Sequence, residues 1–550
     1  MEALDAGELR RWAAACVESV DAHRAAINRI NVFPVADGDT GTNLLHTLRA
    51  ALEALLRAPS GQRADAGAAL GVLAKGAVTG ARGNSGVITS QLLRGMAEAA
   101  SGAAAVDAGL LAEALRQGAR RAAAAVSEPA PGTMLTVLAA AADEAASCLP
   151  GATLHEVALA AATAAATALD KTPDQLAVLA EAGVVDAGGR GVVVLLDALV
   201  AVVAGTPVTT AARVDATPGT APGTAPSATP MVASREGGSE LYAYEVMYLL
   251  EDASPAAAER LRDELDELGD SVSVAGDGDA LWAVHVHCND IGAAIEAGIE
   301  AGRPRRVRVA RFADALPDGP ARFVRERAVV APVRGDGLAD LLLAEGVAVL
   351  RVDDSLPPTP YELLQIITGT GAAHVTVLPV HRDLMAVADE AAIRAVAAGQ
   401  DVVVVPCASP VQALAALAVH DPRRRAGDDV VAMAEAAAAT RRGEVVVARE
   451  DAITWVGPCA AGDVVGFADG EVVLIEAGPA SVSTLTRAAT GVVERMLAAG
   501  GELVTALLGR DAPDAIAAAL EEHLRVSRPE AELAVHRGGQ ADVVVVLGLE

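Results

Sequence analysis

A low-complexity segment near the middle of the chain, residues 206–238, rules out one continuous core. It is rich in Pro, Thr, Ala, Gly and Ser and includes the run Thr-Pro-Gly-Thr-Ala-Pro-Gly-Thr-Ala-Pro-Ser-Ala-Thr-Pro. Such a segment has no apolar periodicity and cannot bury enough surface to order itself, so we predict a disordered linker. At roughly 150 residues per domain, a chain of 550 residues predicts about three or four domains around it.

The block before the linker, residues 6–205, has the pattern of a helical domain. Apolar side chains from Leu9 to Ile30 recur every three or four residues, which is the stripe of an amphipathic helix. Ala- and Leu-rich runs follow at residues 44–58, 65–79, 86–100, 107–126, 133–148, 155–169 and 191–204. About eight helices and no convincing strand predict an all-α bundle.

The pattern changes after the linker, over residues 239–315. Strands are expected at residues 241–250, 271–275, 282–287 and 307–312, and helices at residues 255–268 and 291–302. The resulting β-α-β-β-α-β order is the split βαβ, ferredoxin-like pattern. We therefore predict a small α+β middle domain.

Residues 327–550 alternate Val-rich strands with helices. Strands are expected at residues 329–333, 347–352, 375–379 and 402–406, and helices near residues 337–344, 360–367, 382–398 and 410–418. Near-continuous apolar runs of this length are typical of parallel strands that are covered on both faces. This part is predicted to be an α/β domain, and its tail from residue 443 onward is also mixed α and β.

The charge balance argues against a nucleic acid or an anionic membrane as the partner. The chain has 43 Lys and Arg against 72 Asp and Glu, a net charge of −29, whereas phosphate backbones are bound by clustered basic residues. Two local basic strips, residues 303–311 and 423–425, are interpreted as solvated loops.

No feature of the sequence predicts secretion or membrane insertion. The first residues lack the basic and apolar regions of a signal peptide. The apolar run at residues 402–419 contains Pro406 and Pro410, so it is interpreted as a strand, a turn and a helix. Five widely spaced cysteines suit a reducing compartment. We therefore expect a cytoplasmic protein.

The loop after the first helix carries the most informative motif, Asn31-Val-Phe-Pro-Val-Ala-Asp37-Gly-Asp39-Thr40-Gly41-Thr42-Asn43. Its two aspartates are two residues apart, and the glycines beside them permit a tight turn. Such a loop can direct both carboxylates at one hard cation, while the threonines and the second asparagine add neutral oxygens and donors. The alternative is an Asx-rich N-cap turn that opens a helix at Leu44.

Three more polar, glycine-bearing loops precede apolar helices in the same block, at residues 80–86, 131–134 and 185–191. In the first loop, free amides and the Ser85 hydroxyl would suit a phosphate at a helix N-terminus. Each loop alone is common. Four such helix starts, one with an acidic pair, are better explained by one nucleotide–metal site. None fits a Walker A or a dinucleotide-binding glycine pattern.

These motifs resemble a known kinase family. Four segments are similar to the DhaL-type domain, the ATP-binding half of dihydroxyacetone kinases. They are the loop at residues 31–43, called the metal loop below, and the segments Gly-Ala-Arg-Gly-Asn-Ser-Gly-Val-Ile, Gly-Thr-Met-Leu and Glu-Ala-Gly-Val-Val-Asp-Ala-Gly-Gly. Over its whole length, including a middle domain and a DegV-like C-terminal domain, the chain resembles the ATP-binding subunit of bacterial fatty acid kinase. The resemblance implies an eight-helix barrel whose loops hold ATP and two Mg²⁺ ions.

The resemblance also implies roles for single residues. Asp37 and Asp39 match the metal carboxylates, with Asn31 in the place of a third, upstream ligand. The nucleotide-binding positions are Thr40, Gly41, Thr42, Asn43, Asn84, Ser85, Gly86, Gly132, Thr133 and Asp186. His46, in the helix after the metal loop, is interpreted as a helix-face histidine.

The implied reaction transfers a phosphoryl group from ATP to the carboxylate of a fatty acid and gives an acyl phosphate. A carboxylate is ionised at neutral pH, which agrees with the lack of an obvious His or Lys base in the motifs. In the family, the C-terminal domain docks a separate DegV-like fatty-acid-binding protein, and the chains tend to dimerise. Two alternatives stay open: a kinase of a small hydroxyl substrate such as dihydroxyacetone, and a regulatory scaffold with vestigial kinase motifs.

The middle domain contains a candidate zinc site. His285 and His287 alternate along a strand and therefore point to one face, where two imidazoles can form half of a zinc site. The family shows the same His-Val-His, and a cysteine linked to metal there is replaced by Glu245, which could supply an oxygen. Cys288 would face the other way. The alternative is two histidines that pack on the sheet.

Three loops of the C-terminal domain are also notable. Residues 334–337 form a strand–Gly-x-Gly–helix turn, which is a weak indication of phosphate binding. Residues 405–412 and 536–540 resemble loops of the family. Residues 352–356 depart from its Gly-Gly-Gln-Thr segment, so the resemblance supports no role for that loop, such as partner choice.

Overall fold

We describe a computed structural model of the chain over residues 1–34, 38–127, 129–206, 242–277, 281–311, 323–353 and 356–550. The chain divides into two compact units, Met1–Asp318 and Gly319–Glu550. Asp37 and all but the first residue of the predicted linker lie outside the described residues.

The first unit begins with a helical domain. Its helices are α1 (Ala6–Arg29), α2 (Thr40–Arg57), α3 (Ala66–Gly80), α4 (Gly83–Ala99), α5 (Ala108–Ala124), α6 (Met134–Ser147), α7 (Leu154–Asp170), α8 (Thr172–Gln175), α9 (Ala177–Ala182) and α10 (Ala187–Ala204). Asp5 and Glu8 form a capping box that starts α1, and Thr153 and Glu156 form one that starts α7. The longer helices follow the predicted Ala- and Leu-rich runs.

Small residues let neighbouring helices of this domain approach closely. A Cβ atom added at Gly76 of α3 would lie 2.7 Å from the carbonyl oxygen of Ala50 in α2. One added at Gly95 of α4 would lie 2.6 Å from the Cα atom of Gly118 in α5. A larger side chain at either contact would displace backbone atoms. The high Ala and Gly content therefore corresponds to close helix packing.

Helix α10 is long and apolar enough to cross a membrane by length and composition, and within the described residues it is the one such helix. However, 67 % of it is buried inside the protein, and it packs against α1 and α7. The consecutive side chains from Val192 to Leu196 are all buried, as expected for a helix surrounded by protein. Its apolar character therefore reflects a central position in the helical domain.

The middle domain follows in the order β1 (Tyr244–Glu251), α11 (Pro255–Leu268), β2 (Gly269–Gly276), β3 (Trp282–Cys288), α12 (Ile291–Ala301) and β4 (Arg303–Arg311). This is the predicted order of strands and helices. The strands pair antiparallel in the order β2-β3-β1-β4. The interpretation of residues 303–311 as a solvated loop is wrong, because they form the edge strand β4, whose backbone pairs with β1 while its side chains stay largely exposed.

The two faces of this sheet differ in chemistry. One face packs on α11 and α12 through a core that includes Val246, Tyr248, Leu250, Val284, Val286 and Cys288. His285 and His287 alternate with those core residues of β3 and therefore point to the other face, as predicted. Glu245 lies directly opposite His287 in the β1–β3 pairing, so its side chain is on the same face.

The histidine face of the sheet lies against the helical domain. Val126 and Ser273 form an isolated antiparallel bridge, and the side-chain amide of Gln91 donates a hydrogen bond to the carbonyl oxygen of Gly276 at 3.1 Å. A small apolar cluster beside this contact contains Val87, Ala125 and Ala275. These contacts hold the sheet over the loops that start the helices.

The second unit begins with β5 (Arg325–Val333), α13 (Asp336–Ala344), β6 (Ala348–Arg351), α14 (Pro360–Gly369), β7 (Ala372–Val377), α15 (Met385–Ala397), β8 (Asp401–Val404) and α16 (Pro410–Ala418). The strands are parallel, in the order β6-β5-β7-β8. These elements agree with the predicted strands and helices. The run at residues 402–419 is strand, turn and helix, as predicted.

The rest of this unit forms a mixed sheet and a small hairpin. Its elements are α17 (Ala426–Ala439), β9 (Arg441–Val447), β10 (Ala452–Ile453), β11 (Pro458–Cys459), β12 (Val464–Ala468), β13 (Glu471–Glu476), α18 (Val482–Leu497), β14 (Leu503–Leu508), α19 (Ala515–Ser527), β15 (Glu532–Arg537) and β16 (Val545–Leu549). The larger sheet has the order β13-β12-β9-β16-β14-β15, and β10 pairs with β11. Residues 423–425 lie in the connection before α17, so the interpretation of that strip as a loop is confirmed.

Candidate nucleotide and metal site

Helix α2 begins within the metal loop, and its first amides are capped by one side chain from the end of α1 and one from just after α1. Asn28 Oδ1 accepts hydrogen bonds from the amides of Gly41 at 2.7 Å and Thr42 at 3.2 Å. Asn31 Oδ1 accepts one from the amide of Thr40 at 2.8 Å. The end of α1 therefore holds the start of α2 in place. Asn28 was not among the predicted site residues; its signal in the sequence is an asparagine in the last turn of α1, just before the metal loop.

Asp39 is at the N-cap position of α2, yet its side chain accepts no capping hydrogen bond among the described residues. The Asx-turn alternative is therefore wrong for this carboxylate, and the helix begins at Thr40 rather than at Leu44. Asp39 lines a cleft instead. Asp37, the other predicted metal carboxylate, lies outside the described residues.

The start of α4 packs closely against α2. Gly83 has a φ of +54°, a conformation that favours glycine, and a Cβ atom there would lie 2.4 Å from Nδ2 of Asn43. A Cβ atom at Gly86 would lie 2.5 Å from Oγ1 of Thr47. Both glycines are therefore needed to bring this predicted nucleotide loop beside the metal loop.

Asn84 has a buried side-chain oxygen, Oδ1, that finds no hydrogen-bond partner in the described part of the chain. Leaving a buried polar atom without a partner costs about 1–3 kcal/mol. Asn84 and Ser85 both line the same cleft as Asp39. An unsatisfied oxygen at this position fits a site that receives a polar ligand.

The loop before α6 is ordered by its own side chains. The Thr133 hydroxyl donates to the carbonyl oxygen of Ala130 at 2.7 Å, and the amide of Gly132 donates to the Thr136 hydroxyl at 3.0 Å. Gly132 has a φ of +78°, which favours glycine at this turn. Thr133 lines the cleft from this side.

Asp186 connects the starts of α10 and α6. It caps α10 by accepting a hydrogen bond from the amide of Gly189 at 2.6 Å. Burial raises the pKa of Asp186 to about 6, and its hydrogen bonds with the backbone of Gly189 and Met134 act in the opposite direction. The main task of this carboxylate in the fold is therefore to hold two helix starts at the cleft.

The cleft that these loops surround has a volume of about 720 Å³. This is within the ordinary size range of small-molecule sites. Of the residues predicted for the site, it is lined by Asn31, Asp39, Thr40, Asn43, Asn84, Ser85, Thr133, Asp186, Glu245, His285 and His287. Of the remainder, Gly41, Thr42, Gly86 and Gly132 lie next to lining residues in the chain and shape the loops. The structure thus brings the helical loops and the histidine face together in one cleft.

Glu245, His285 and His287 form a compact group, whose nitrogen and oxygen ligand atoms lie within 4.8 Å of one another. His285 Nδ1 is 2.9 Å from the carbonyl oxygen of Ser271, and its Nε2 is 3.0 Å from Oε1 of Glu245. His287 Nδ1 is 3.2 Å from Oδ1 of Asp270. This arrangement has the donor types that zinc accepts.

The contact between His285 and Glu245 requires a shared cation. If Nδ1 of His285 donates its proton to Ser271, Nε2 and the carboxylate are two acceptors at 3.0 Å. Only a proton or a metal ion between them makes such a contact favourable. Burial lowers the pKa of His285, but Glu245 and Asp39 outweigh burial and raise it overall. Burial and the neighbouring His285 lower the pKa of His287 to about 3.

Two of the predicted loops of the C-terminal unit, residues 334–337 and 536–540, pack against each other. A Cβ atom at Gly335 would lie 2.3 Å from the carbonyl oxygen of Gly538, and the amide of Leu338 donates to that oxygen at 2.9 Å. The glycine at residue 335 therefore serves a close backbone approach, which accounts for the Gly-x-Gly turn without a phosphate. In the departing segment 352–356, residues 354–355 lie outside the described residues.

Three family models match consecutive parts of the chain. Residues 34–201 match the DAK2 domain, residues 241–316 match the middle domain of the FakA-like proteins of the fatty acid kinase family, and residues 328–550 match their C-terminal part. These matches follow the observed order of the helical domain, the middle domain and the C-terminal unit.

Curated bacterial relatives are similar over about two thirds of the chain. Protein YloV of Bacillus subtilis is 28% identical over 386 residues, and the uncharacterized protein SH1689 of Staphylococcus haemolyticus is 27% identical over 388 residues. Each comparison covers 68% of this chain and 68% of the relative.

Solved structures are similar over smaller parts. The DegV family protein Cg2579 from Corynebacterium glutamicum is 14% identical, with 41% of this chain and 98% of that chain covered and a TM-score of 0.32. The dihydroxyacetone kinase from C. freundii is 12% identical, with 41% and 48% covered and a TM-score of 0.31. At such TM-scores these likenesses carry no argument.

Proposed function

The chain belongs to the DhaL-type (DAK2) domain proteins and is close to the FakA-like proteins, and from this premise we propose that it is the ATP-binding, catalytic subunit of a fatty acid kinase. It would transfer the γ-phosphoryl group of ATP to the carboxylate of a fatty acid that a separate DegV-like protein presents. The observation that supports this most strongly is the cleft in which Asp39 meets polar side chains from three other helix starts.

The donor set of the cleft fits ATP with Mg²⁺. Asn31 and Asp39 offer hard oxygen atoms, the ligands that Mg²⁺ prefers, and Asp37 completes the motif. The buried, unpartnered oxygen of Asn84 is satisfied once a polar ligand fills the cleft. When bound, two Mg²⁺ ions would neutralise the charge that develops on the transferred phosphoryl group.

The protein's own groups orient the nucleotide. In the described structure, the N-cap residues of α4 and α6 form no side-chain capping hydrogen bond, so amides at these helix starts remain for phosphate oxygens. Asn28 and Asp186 hold the starts of α2 and α10 in position around the cleft. The acceptor carboxylate is already ionised, so no side chain has to remove a proton.

The reaction is tested by incubating the purified chain with Mg²⁺, ATP, oleate and a DegV-like protein and measuring acyl phosphate as its hydroxamate. The alternative, a kinase of a small hydroxyl substrate, predicts ATP consumption with dihydroxyacetone and its binding subunit instead. The scaffold alternative predicts turnover with neither. Acyl phosphate formation that requires all four components supports the proposal, and its absence with several fatty acids contradicts it.

The finer architecture is also proposed. Residues 6–205 would form an eight-helix barrel, residues 239–315 a ferredoxin-like domain, and residues 327–550 a DegV-like domain that docks the partner. The linker at residues 206–238, dimer formation and a cytoplasmic location belong to the same proposal.

We further propose that Glu245, His285 and His287 bind one zinc ion. The carbonyl oxygen of Ser271 orients His285 so that Nε2 faces the group, as second-shell partners of zinc ligands do. Elemental analysis of the purified chain is expected to find about one zinc ion per chain. His285→Gln, which keeps the size of the side chain, is expected to lose it. If the wild-type protein contains no zinc, the assignment is wrong, and a shared proton explains the contact between His285 and Glu245.

Partner docking is proposed to use the hairpin of β10 and β11. Ile453 is 94 % exposed and Trp455 is 99 % exposed at its tip, in a chain with three tryptophans. The turn is ordered, because the amide of Thr454 donates to the carbonyl oxygen of Gly457 at 2.9 Å. An exposed apolar pair on an ordered turn suits a protein partner with an apolar pocket.

Trp455→Ala is expected to weaken binding of the DegV-like protein about 30-fold, because exposed tryptophans on interfaces contribute about 2 kcal/mol when buried by a partner. Isothermal titration calorimetry with the full chain measures this change. Val482→Ala removes another exposed apolar side chain of the same unit, 52 % exposed, and serves as the control. An unchanged dissociation constant for Trp455→Ala would exclude the hairpin from the interface.

A further inference from the structure

A group of basic side chains lies beside the cleft, in a chain whose net charge is −29. At its centre is His46, one helical turn after Asn43 on α2. Burial, together with the guanidinium groups of Arg82, Arg49, Arg308 and Arg24, lowers the pKa of His46 to about 4. His46 is therefore neutral at pH 7, and its surroundings are strongly positive.

Two of these arginines already have carboxylate partners, and two do not. Arg49 is 2.8 Å from Asp21, and Arg24 is 3.8 Å from the same carboxylate. Arg82 and Arg308 make no side-chain hydrogen bond or ion pair within the described part of the chain. The unpaired positive charge of the group is thus concentrated on Arg82 and Arg308.

Arg82 and Arg308 come from different domains but flank the same site. Arg82 is the N-cap residue of α4, directly before the predicted nucleotide loop. Arg308 of β4 is opposite Met247 of β1, which is opposite His285 of β3. Residues directly opposite in antiparallel strands share a face, so Arg308 lies on the face of the sheet that carries the histidines.

The positive charge of Arg308 acts on Arg82. Burial lowers the pKa of Arg82, Arg308 lowers it further, and Glu245 partly opposes both. Like charges that are held together without a counter-ion are unfavourable, and a bound anion relieves the repulsion. Guanidinium groups bind carboxylates through two parallel hydrogen bonds, which gives direction as well as charge.

We propose that Arg82 and Arg308 together form an oxyanion subsite that binds the carboxylate of the acyl acceptor beside the nucleotide loop. This inference rests on the proposed kinase function. The acceptor carboxylate must approach a triphosphate of the same charge sign, and two cations beside the loop reduce that repulsion. The phosphates of the nucleotide are the other source of oxyanions near these groups, and the experiment separates the two.

The test compares Arg82→Gln and Arg308→Gln in the full chain with Arg311→Gln. Arg311 is on the same strand as Arg308 but opposite Tyr244, so its side chain belongs to the other face and the charge change is matched. Each of the first two variants is expected to raise the KM for the fatty acid about tenfold, the usual size for a charged hydrogen bond, and to leave the KM for ATP within about twofold. The control is expected to change neither value.

A second measurement does not depend on turnover. Octanoate is titrated into the chain saturated with Mg²⁺ and AMP-PNP, and the affinity of both variants is expected to fall about tenfold. If the wild-type chain binds octanoate through these arginines but forms no acyl phosphate, the proposed function is wrong and the subsite assignment stands. A raised KM for ATP with unchanged octanoate binding would assign the arginines to the nucleotide and overturn the subsite. Variants that behave like Arg311→Gln in both measurements would also overturn it.

Discussion

Asp39→Asn is expected to lower the rate of phosphoryl transfer by at least about 10²-fold while the chain stays folded. The substitution keeps the size of the side chain and removes the negative charge that would hold a cation at the phosphates. Asp39 accepts no capping hydrogen bond among the described residues, and Asn28 and Asn31 provide the cap of α2. The free energy of unfolding should therefore change by less than about 0.5 kcal/mol.

Acyl phosphate formation with saturating ATP measures the rate, and urea unfolding measures the stability. Asp143→Asn makes the same chemical change at an exposed position of α6 and is the matched control. It is expected to keep the wild-type rate. If Asp39→Asn turns over as fast as this control, the metal loop is not part of the catalytic site and the scaffold alternative gains support.

Asp186→Asn is expected to change the pH dependence of stability. Burial raises the pKa of Asp186 in the folded chain to about 6, above its ordinary value of 3.8. The folded state therefore holds this proton more tightly than the unfolded state. The resulting stabilisation is fully present below pH 3.8 and is lost as the pH rises through 6. Asparagine does not titrate, so the variant lacks this loss.

Between pH 4 and pH 7, the free energy of unfolding of Asp186→Asn should rise by about 2.4 kcal/mol relative to wild type, which is most of the energy that a pKa shift of this size represents. Urea unfolding at several pH values, without nucleotide, measures the difference. Asp107 is the exposed N-cap of α5 and accepts a hydrogen bond from the amide of Leu110 at 2.8 Å. Asp107→Asn therefore reports the effect of changing a cap alone, and equal pH trends in both variants would refute the burial argument.

The sequence predicted most helices and strands because their signals are local. Ala- and Leu-rich periodicity located α1 to α7 and α10 but not the short helices α8 and α9, and the Val-rich runs located β5 to β8. The start of α2 was misplaced by four residues, because its cap comes from Asn28 of α1 and from Asn31, which follows α1. The edge strand at residues 303–311 was predicted only from residue 307 onward, because the arginines before Val307 mask the apolar alternation and its pairing partner β1 is more than 50 residues away.

The candidate site was predictable in its parts but not in its assembly. The spacing of the metal loop and of the two histidines indicated two separate sites. Their meeting in one cleft depends on the bridge between Val126 and Ser273 and on the packing around it, which no local pattern encodes. The unpaired state of Arg82 and Arg308 is likewise a property of the folded chain.

The walls of the cleft come from residues on both sides of the 206–238 segment, and this has a thermodynamic consequence. A ligand that touches both walls binds only when the middle sheet is seated on the helices. At a concentration of 100 times its dissociation constant, such a ligand stabilises the contact between the middle sheet and the helical domain by about 2.7 kcal/mol. A substitution that loosens the joint at Val126 raises the apparent dissociation constant of the ligand in inverse proportion to the fraction of chains in which the two domains remain joined, so nucleotide affinity reports that fraction.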